Sequence, residues 1–168
     1  MSADSDTLLT CIPRLRRYAR ALVGDRAAAD DLVQDTLERA WGKFSLWRRG
    51  SDMRAWLFGI MHNLHIDQRR KPRLETRELD EQASELASPA SPTDALALRD
   101  LQAALGRLAD EQREVVLLVA LQEMTYEEAA STLNIPIGTV MSRLSRGRER
   151  LRLLLDGRDT SVTLKVVK

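Results

Sequence analysis

Wherever this chain carries large apolar residues, they recur at steps of three and four, and no stretch ahead of the C-terminal tail alternates over strand length. Such spacing puts the apolar side chains on one face of a helix. Leu8, Ile12, Leu15, Ala19 and Leu22 form one such face, which ends at Gly24. A second helix is predicted from about Arg26 to Phe44, with Val33, Leu37, Ala40, Trp41 and Phe44 inward and Asp30, Asp31, Asp35 and Glu38 outward. A third starts after the capping pair Ser51-Asp52, buries Met53, Trp56, Leu57, Ile60, Met61 and Leu64, and ends in Arg69-Arg70-Lys71 before Pro72. The expected fold is all-α: two small helical domains at 1–72 and 94–155, joined by a flexible acidic linker at 73–93. A tail follows at 156–168, whose Val162, Leu164 and Val166 alternate over too short a run for a strand.

Charge divides unevenly along the chain. The 168 residues carry 26 basic and 25 acidic side chains, for a net charge of +1. Residues 1–72 hold 13 basic and 9 acidic groups, residues 73–97 hold 2 and 6, and residues 98–168 hold 11 and 10. Near neutrality is therefore a cancellation, and it does not exclude nucleic acid. The linker has no aromatic residue and contains Ser88-Pro89-Ala90-Ser91-Pro92; short helical turns are possible around Glu75–Leu86. A single cysteine, Cys11, excludes an internal disulfide and a cysteine-based zinc site, and its default place is the core. His62 and His65 stand three apart without a thiol nearby, which favours DNA contact or polar packing over metal. There is no Gly-rich phosphate loop, nucleophile–base arrangement or HExxH pair, so neither an enzyme nor a cofactor is expected. No apolar run reaches the roughly 18 residues of a membrane span, and the N-terminus lacks a signal-peptide pattern, so a cytoplasmic protein is expected.

The second domain carries the most specific chemistry. Thr125-Tyr126-Glu127-Glu128 is a capping box that opens a short helix, Tyr126–Leu133. Asn134-Ile135-Pro136 breaks it, and a long helix restarts at Ile137. This is helix-turn-helix spacing. Ala129 and Ala130 allow the helices to cross closely, while Leu133, Ile135, Val140 and Leu144 fill the wedge between them. The outer face of the second helix then shows Gly138, Thr139, Met141, Ser142, Ser145 and Arg146, short enough to enter a major groove. Arg143, Arg146, Arg148 and Arg150 are placed to meet phosphates beside it. An ordinary helical hairpin with a solvated arginine face would share much of this pattern.

On these residues the chain resembles the extracytoplasmic-function sigma factors of bacterial RNA polymerase. The segments LGRLADEQREVVLL and MTYEEAASTLNIPIGTVMSRLSRGRERLR are similar to that family's second domain, which reads the −35 element. ALVGDRAAADDLVQDTLERAWGKF resembles its polymerase-docking segment, and MRAWLFGIMHNLHIDQRR the segment that handles the −10 element. Together these cover about two-thirds of the chain in the family's order. The resemblance implies that Asp30, Asp31, Gln34, Asp35 and Glu38 grip the coiled-coil of the polymerase's largest subunit. It implies that Trp47, Arg48 and Arg49, in a loop at about 46–52, lie beside a flipped base, with Asn63, Arg69, Arg70 and Lys71 along the −10 strand. It assigns Thr139, Met141, Ser142, Arg143, Ser145, Arg146 and Arg148 to the −35 duplex, although Met141 stands where relatives place Lys or Arg. It further implies an anti-sigma partner, and a linker that threads toward the polymerase cleft, although a solvated tether explains the linker's composition equally well. Trp56 falls on the apolar stripe and reads as core, Phe58 is open between core and stacking, and Gly147 inside the last helix reads as a bend. The alternative is a free-standing helix-turn-helix regulator, which leaves residues 26–71 without a role.

Overall fold

The computed structural model describes residues 3–47, 50–70 and 91–157. Among them are seven α-helices and no strand: α1 Ala3–Val23, α2 Arg26–Gly42, α3 Met53–Arg70, α4 Pro92–Gly106, α5 Asp110–Ala120, α6 Tyr126–Leu133 and α7 Ile137–Leu155. A single 3-10 turn, Phe44–Leu46, follows α2. The linker expected at 73–93 lies outside the described residues except at its end, where α4 begins. The same holds for Arg48, Arg49, Lys71 and the alternating residues of the tail.

Local chemistry sets the helix ends. α1 stops where Gly24 takes φ +80°, a conformation that costs glycine little. Asp25 then caps α2 by accepting from the Ala28 amide at 3.1 Å. Asp52 Oδ1 accepts from the Arg54 amide at 3.0 Å at the head of α3. Ser91 caps α4 through the Asp94 amide at 3.2 Å, with Pro92 in the first helical turn where its missing N–H is harmless. α6 ends at Asn134, which adopts the left-handed conformation (φ 55°, ψ 49°) that asparagine tolerates better than most residues.

The expected inward faces are largely buried, and Cys11 is among them. Phe58 belongs to the core: it is fully buried and meets Tyr18 edge-on at 5.0 Å between ring centroids. Trp41 departs from expectation. It lies 65 % exposed at the end of α2, stacked at 5.8 Å on Phe44, because the buried stripe of the helix runs through Ala29, Leu32, Val33, Thr36 and Ala40 and leaves Trp41 at its side. The buried residues form one continuous cluster running from Leu8 to Leu144, so α1 and α3 share their boundary with α5 and α6. Nothing in the periodicity announces this contact.

Candidate nucleic-acid and polymerase interfaces

The turn between α6 and α7 aims the last helix. Thr125 Oγ1 accepts from the Glu128 amide at 3.1 Å, and Ile135 N–H returns to Ala130 C=O at 3.0 Å. Ala129, Leu133, Val140 and Leu144 are buried between α6, α7 and α5, which fixes the roll of α7 about its axis. Met141, Ser142, Ser145, Arg146 and Arg148 consequently face solvent, with Thr139 and Arg143 half-buried at the margin. Ser142 donates its hydroxyl to Thr139 C=O at 3.2 Å. Arg143 lies 3.7 Å from Glu111 of α5. The predicted outer face is thus brought together on one helix. Gly147 is buried where α7 crosses α5, and a Cβ there would lie 2.8 Å from Val116 Cγ2.

The residues expected along a single strand surround the start and the far end of α3. Trp47 is half-buried in an aromatic row, 6.1 Å from Phe44 and 6.5 Å from Trp56, and its indole N–H finds no acceptor among the described residues. Asn63 and Arg70 are exposed on α3. Arg69 is engaged: its Nη2 lies 2.8 Å from Asp110 Oδ2 at the head of α5.

On α2, Asp30, Asp31, Gln34, Asp35 and Glu38 are all exposed. Gln34 donates to Glu38 at 3.3 Å and Gln68 of α3 to Asp35 at 3.4 Å, while Asp30 lies 3.8 Å from Arg20 of α1. Trp41 stands two turns beyond Gln34 and prolongs the same face with an apolar ring.

A second set of polar residues was not legible as a set in the sequence. Glu114 of α5, only 3 % exposed, lies between His62 and His65 of α3, at 3.1 Å from His62 Nδ1 and 3.8 Å from His65 Nε2. Polar packing is therefore the role of the histidine pair in this structure, and no group of three or more metal-ligating side chains is assembled among the described residues. Burial lowers the His65 imidazole from its ordinary value, against the pull of Glu114. Burial and the same carboxylate push the Tyr18 hydroxyl well up. Burial likewise raises the Cys11 thiol, which leaves it an inert core residue. Arg54 of α3 reaches Glu128 at 3.0 Å and Gln122 C=O at 2.7 Å, so the capping-box carboxylate serves a tertiary contact. Arg113 donates to Leu105, Gly106 and Leu108 carbonyls at the end of α4 and to Leu22 C=O at the end of α1. The single available signal was an Arg and a Glu inside an apolar helix, Arg113-Glu114 before Val115.

Comparison with known proteins bears on both halves. A family model described as the Sigma2 domain of PhyR matches residues 8–62, and one described as Sigma-70, region 4 matches residues 98–151. The chain is 39% identical over 151 residues to the ECF RNA polymerase sigma factor EcfG of Rhodopseudomonas palustris, covering 89% of this chain and 83% of that one. This chain belongs to the ECF RNA polymerase sigma factors. As an ECF sigma factor it works in transcription initiation with core RNA polymerase and promoter DNA, and the free-standing regulator is not favoured. Another relative, sigma factor SigM of Bacillus subtilis, is 31% identical over 141 residues, which is 82% of this chain and 86% of SigM. The fold matches the sigma factor RpoE of Bartonella quintana, solved with the anti-sigma factor NepR, at TM-score 0.78 and 33% identity over 95% of this chain and all of that one. It also matches CnrH, solved with the cytosolic domain of CnrY, at TM-score 0.64 and 30% identity over 86% of this chain and 82% of CnrH. Among the described residues no helix of this sigma factor is long and apolar enough to cross a membrane.

Proposed function

We propose that this ECF sigma factor divides its work between residues 1–72, which dock on core polymerase and capture the −10 strand, and residues 94–155, which read the −35 duplex. The observation that carries the reading is the outer face of α7, where Met141, Ser142, Ser145, Arg146 and Arg148 share one exposed surface with no acidic residue before Glu149. Short polar side chains reach base edges and flanking arginines meet phosphates. Within the described residues Arg146, Arg148 and Arg70 make no ion pair, which leaves their charge for DNA. The exposed acids of α2 offer complementary charge to a basic coiled-coil, and Trp41 adds the kind of aromatic anchor that concentrates binding energy at interfaces. Trp47 with its unsatisfied indole donor, together with Arg48 and Arg49, supports base capture ahead of α3.

Two solved relatives were captured with anti-sigma factors, NepR on RpoE and CnrY on CnrH. By analogy a protein of that kind holds this chain inactive by covering its polymerase-binding face. The protein acts in the cytoplasm, by binding alone and without catalysis of its own. The linker at 73–93 acts as a tether long enough to let the domains engage separate promoter elements.

Promoter-dependent run-off transcription with purified chain and core polymerase tests the reading. Initiation is expected with the wild type. Charge reversal at Asp31 and Asp35 to lysine is expected to weaken core binding by at least about tenfold, equivalent to roughly 1.4 kcal/mol, with an unchanged helical circular dichroism spectrum. Retained core affinity in that variant overturns the assignment of α2.

A further inference from the structure

The outer face of α7 is polar except for one ridge. Ile137 is 43 % exposed and Met141 is 51 % exposed, one helical turn apart on the same side of the helix. Neither belongs to the buried cluster, nor to the partly buried apolar residues packed against it. Val140 and Leu144 do that packing, so the fold itself gains little from large apolar side chains at 137 and 141. The neighbours on the face are short. Gly138, Ser142 and Ser145 are too small to cover a methionine, and the Ser142 hydroxyl is turned back onto Thr139 C=O at 3.2 Å. The thioether therefore projects from a face otherwise made of hydroxyls, guanidinium groups and backbone.

What such a group can recognise in a major groove is narrow. It has no hydrogen-bond donor and only a weak acceptor, so it cannot grip guanine O6 and N7 as an arginine does. Nor does it suit a phosphate, which takes positive charge and N–H or O–H donors. Of the four bases, thymine alone presents an apolar group there, its C5-methyl. The N-terminal residues of a recognition helix are those that reach base edges, and Met141 is the fifth residue of α7. Its three rotatable bonds and polarisable sulfur let methionine settle on a small apolar target.

We propose that Met141 is a specificity-determining residue, which selects a thymine within the −35 element by contact with its C5-methyl group, while Ile137 shields that contact from water. The inference rests on the assignment of α7 to the −35 duplex and deepens it. Polar contacts from Ser142 or Arg146 tell bases apart by their donors and acceptors. The Met141 contact tells them apart by the methyl group alone, and it is lost when that methyl is removed and every hydrogen-bonding atom is kept.

Holoenzyme assembled from core polymerase and the full chain tests this. It is first offered a promoter library randomised across the −35 element, and the bound duplexes are sequenced. Each thymine of the best duplex, on either strand, is then replaced in turn by deoxyuridine, which lacks only the C5-methyl. With the wild type, one replacement is expected to weaken binding by about fourfold, the worth of one methyl group removed from water. Met141→Ala should bind the thymine and deoxyuridine duplexes equally at that position. Met141→Leu, still apolar, should keep most of the discrimination, and Met141→Arg should shift the selected base toward guanine. A selected element without thymine, a wild type indifferent to every replacement, or a Met141→Ala holoenzyme that still discriminates overturns the proposal. A holoenzyme that binds promoters yet selects no sequence across the −35 element overturns the assignment of α7 itself, and the role of Met141 with it.

Discussion

A Cβ built at Gly147 would lie 2.8 Å from Val116 Cγ2 and 3.3 Å from Gln112 Cβ, so α7 crosses α5 at a separation that only glycine permits. In isolation, alanine there would favour the helix by about 1 kcal/mol. Overpacking against a β-branched neighbour costs about 1–3 kcal/mol. The second effect is expected to win, and urea denaturation should show Gly147→Ala less stable than wild type. Arg113 presents the opposite situation, a charge made indispensable by its carbonyls. Its guanidinium serves α1 and α4 at once, through donors that a lysine cannot spread in one plane. Arg113→Lys is expected to destabilise by roughly 2–3 kcal/mol, since several buried carbonyls lose their donors; a smaller loss in the same denaturation assay would show that water replaces the fork. Neither role can be read from sequence, because both depend on what a different helix places opposite the residue. Cys11 and Phe58 show what can be read, and how far: burial follows from position on an apolar face, whereas Trp41 lies beside the buried stripe that runs to Ala40 and stays exposed.

At the scale of the element, helix boundaries were legible because capping residues are local. Asp25, Asp52, Ser91 and Thr125 each satisfy an amide within three residues of themselves. The roll of α7 was legible too, since Val140 and Leu144 must face the core and Ser142, Ser145 and Arg146 then cannot. Two kinds of contact on this helix should be separable by experiment. Arg148→Ala is expected to weaken binding to all duplexes alike and to lower the salt slope by about one. Ser142→Ala is expected to leave the salt slope alone and to change preference among duplex sequences, measured by competition on a promoter library. If Arg148→Ala changes sequence preference instead, the division between phosphate and base contacts on α7 is wrong. What the element could not reveal is the engagement of Arg143 and Arg69 by acids of α5, since each pair joins residues more than thirty positions apart.

The whole molecule adds a dependence on acidity. Burial keeps the folded His65 imidazole below its ordinary 6.5. Arg69 and His62 on its own helix act in the same direction, while Glu114 and Asp110 from α5 oppose them. Tyr18 of α1 faces the same Glu114 carboxylate. The unfolded chain therefore takes up this proton near pH 6.5 and the folded chain only at lower pH. Stability from burying the neutral ring is fully present above 6.5 and is lost as the pH falls through that value. Between about pH 7.5 and about pH 5.5 the urea midpoint of the wild type should fall, and His65→Gln should flatten that fall. An equal decline in both proteins would assign the acid sensitivity to other groups.

Sequence alone determined the helices, their caps, the helix-turn-helix and the charged stripes, because each rests on interactions reaching no more than a few residues along the chain. It also carried the family, through segments whose order and spacing survive without any knowledge of packing. Only the tertiary structure decided that α3 meets α5 and α6, that Glu114 is buried between two histidines, and that Arg69 is held by Asp110. Those contacts join residues 41 to 74 positions apart across a segment of low hydrophobicity. No local preference encodes such a pairing, because its free energy comes from surfaces that exist only once both halves have folded.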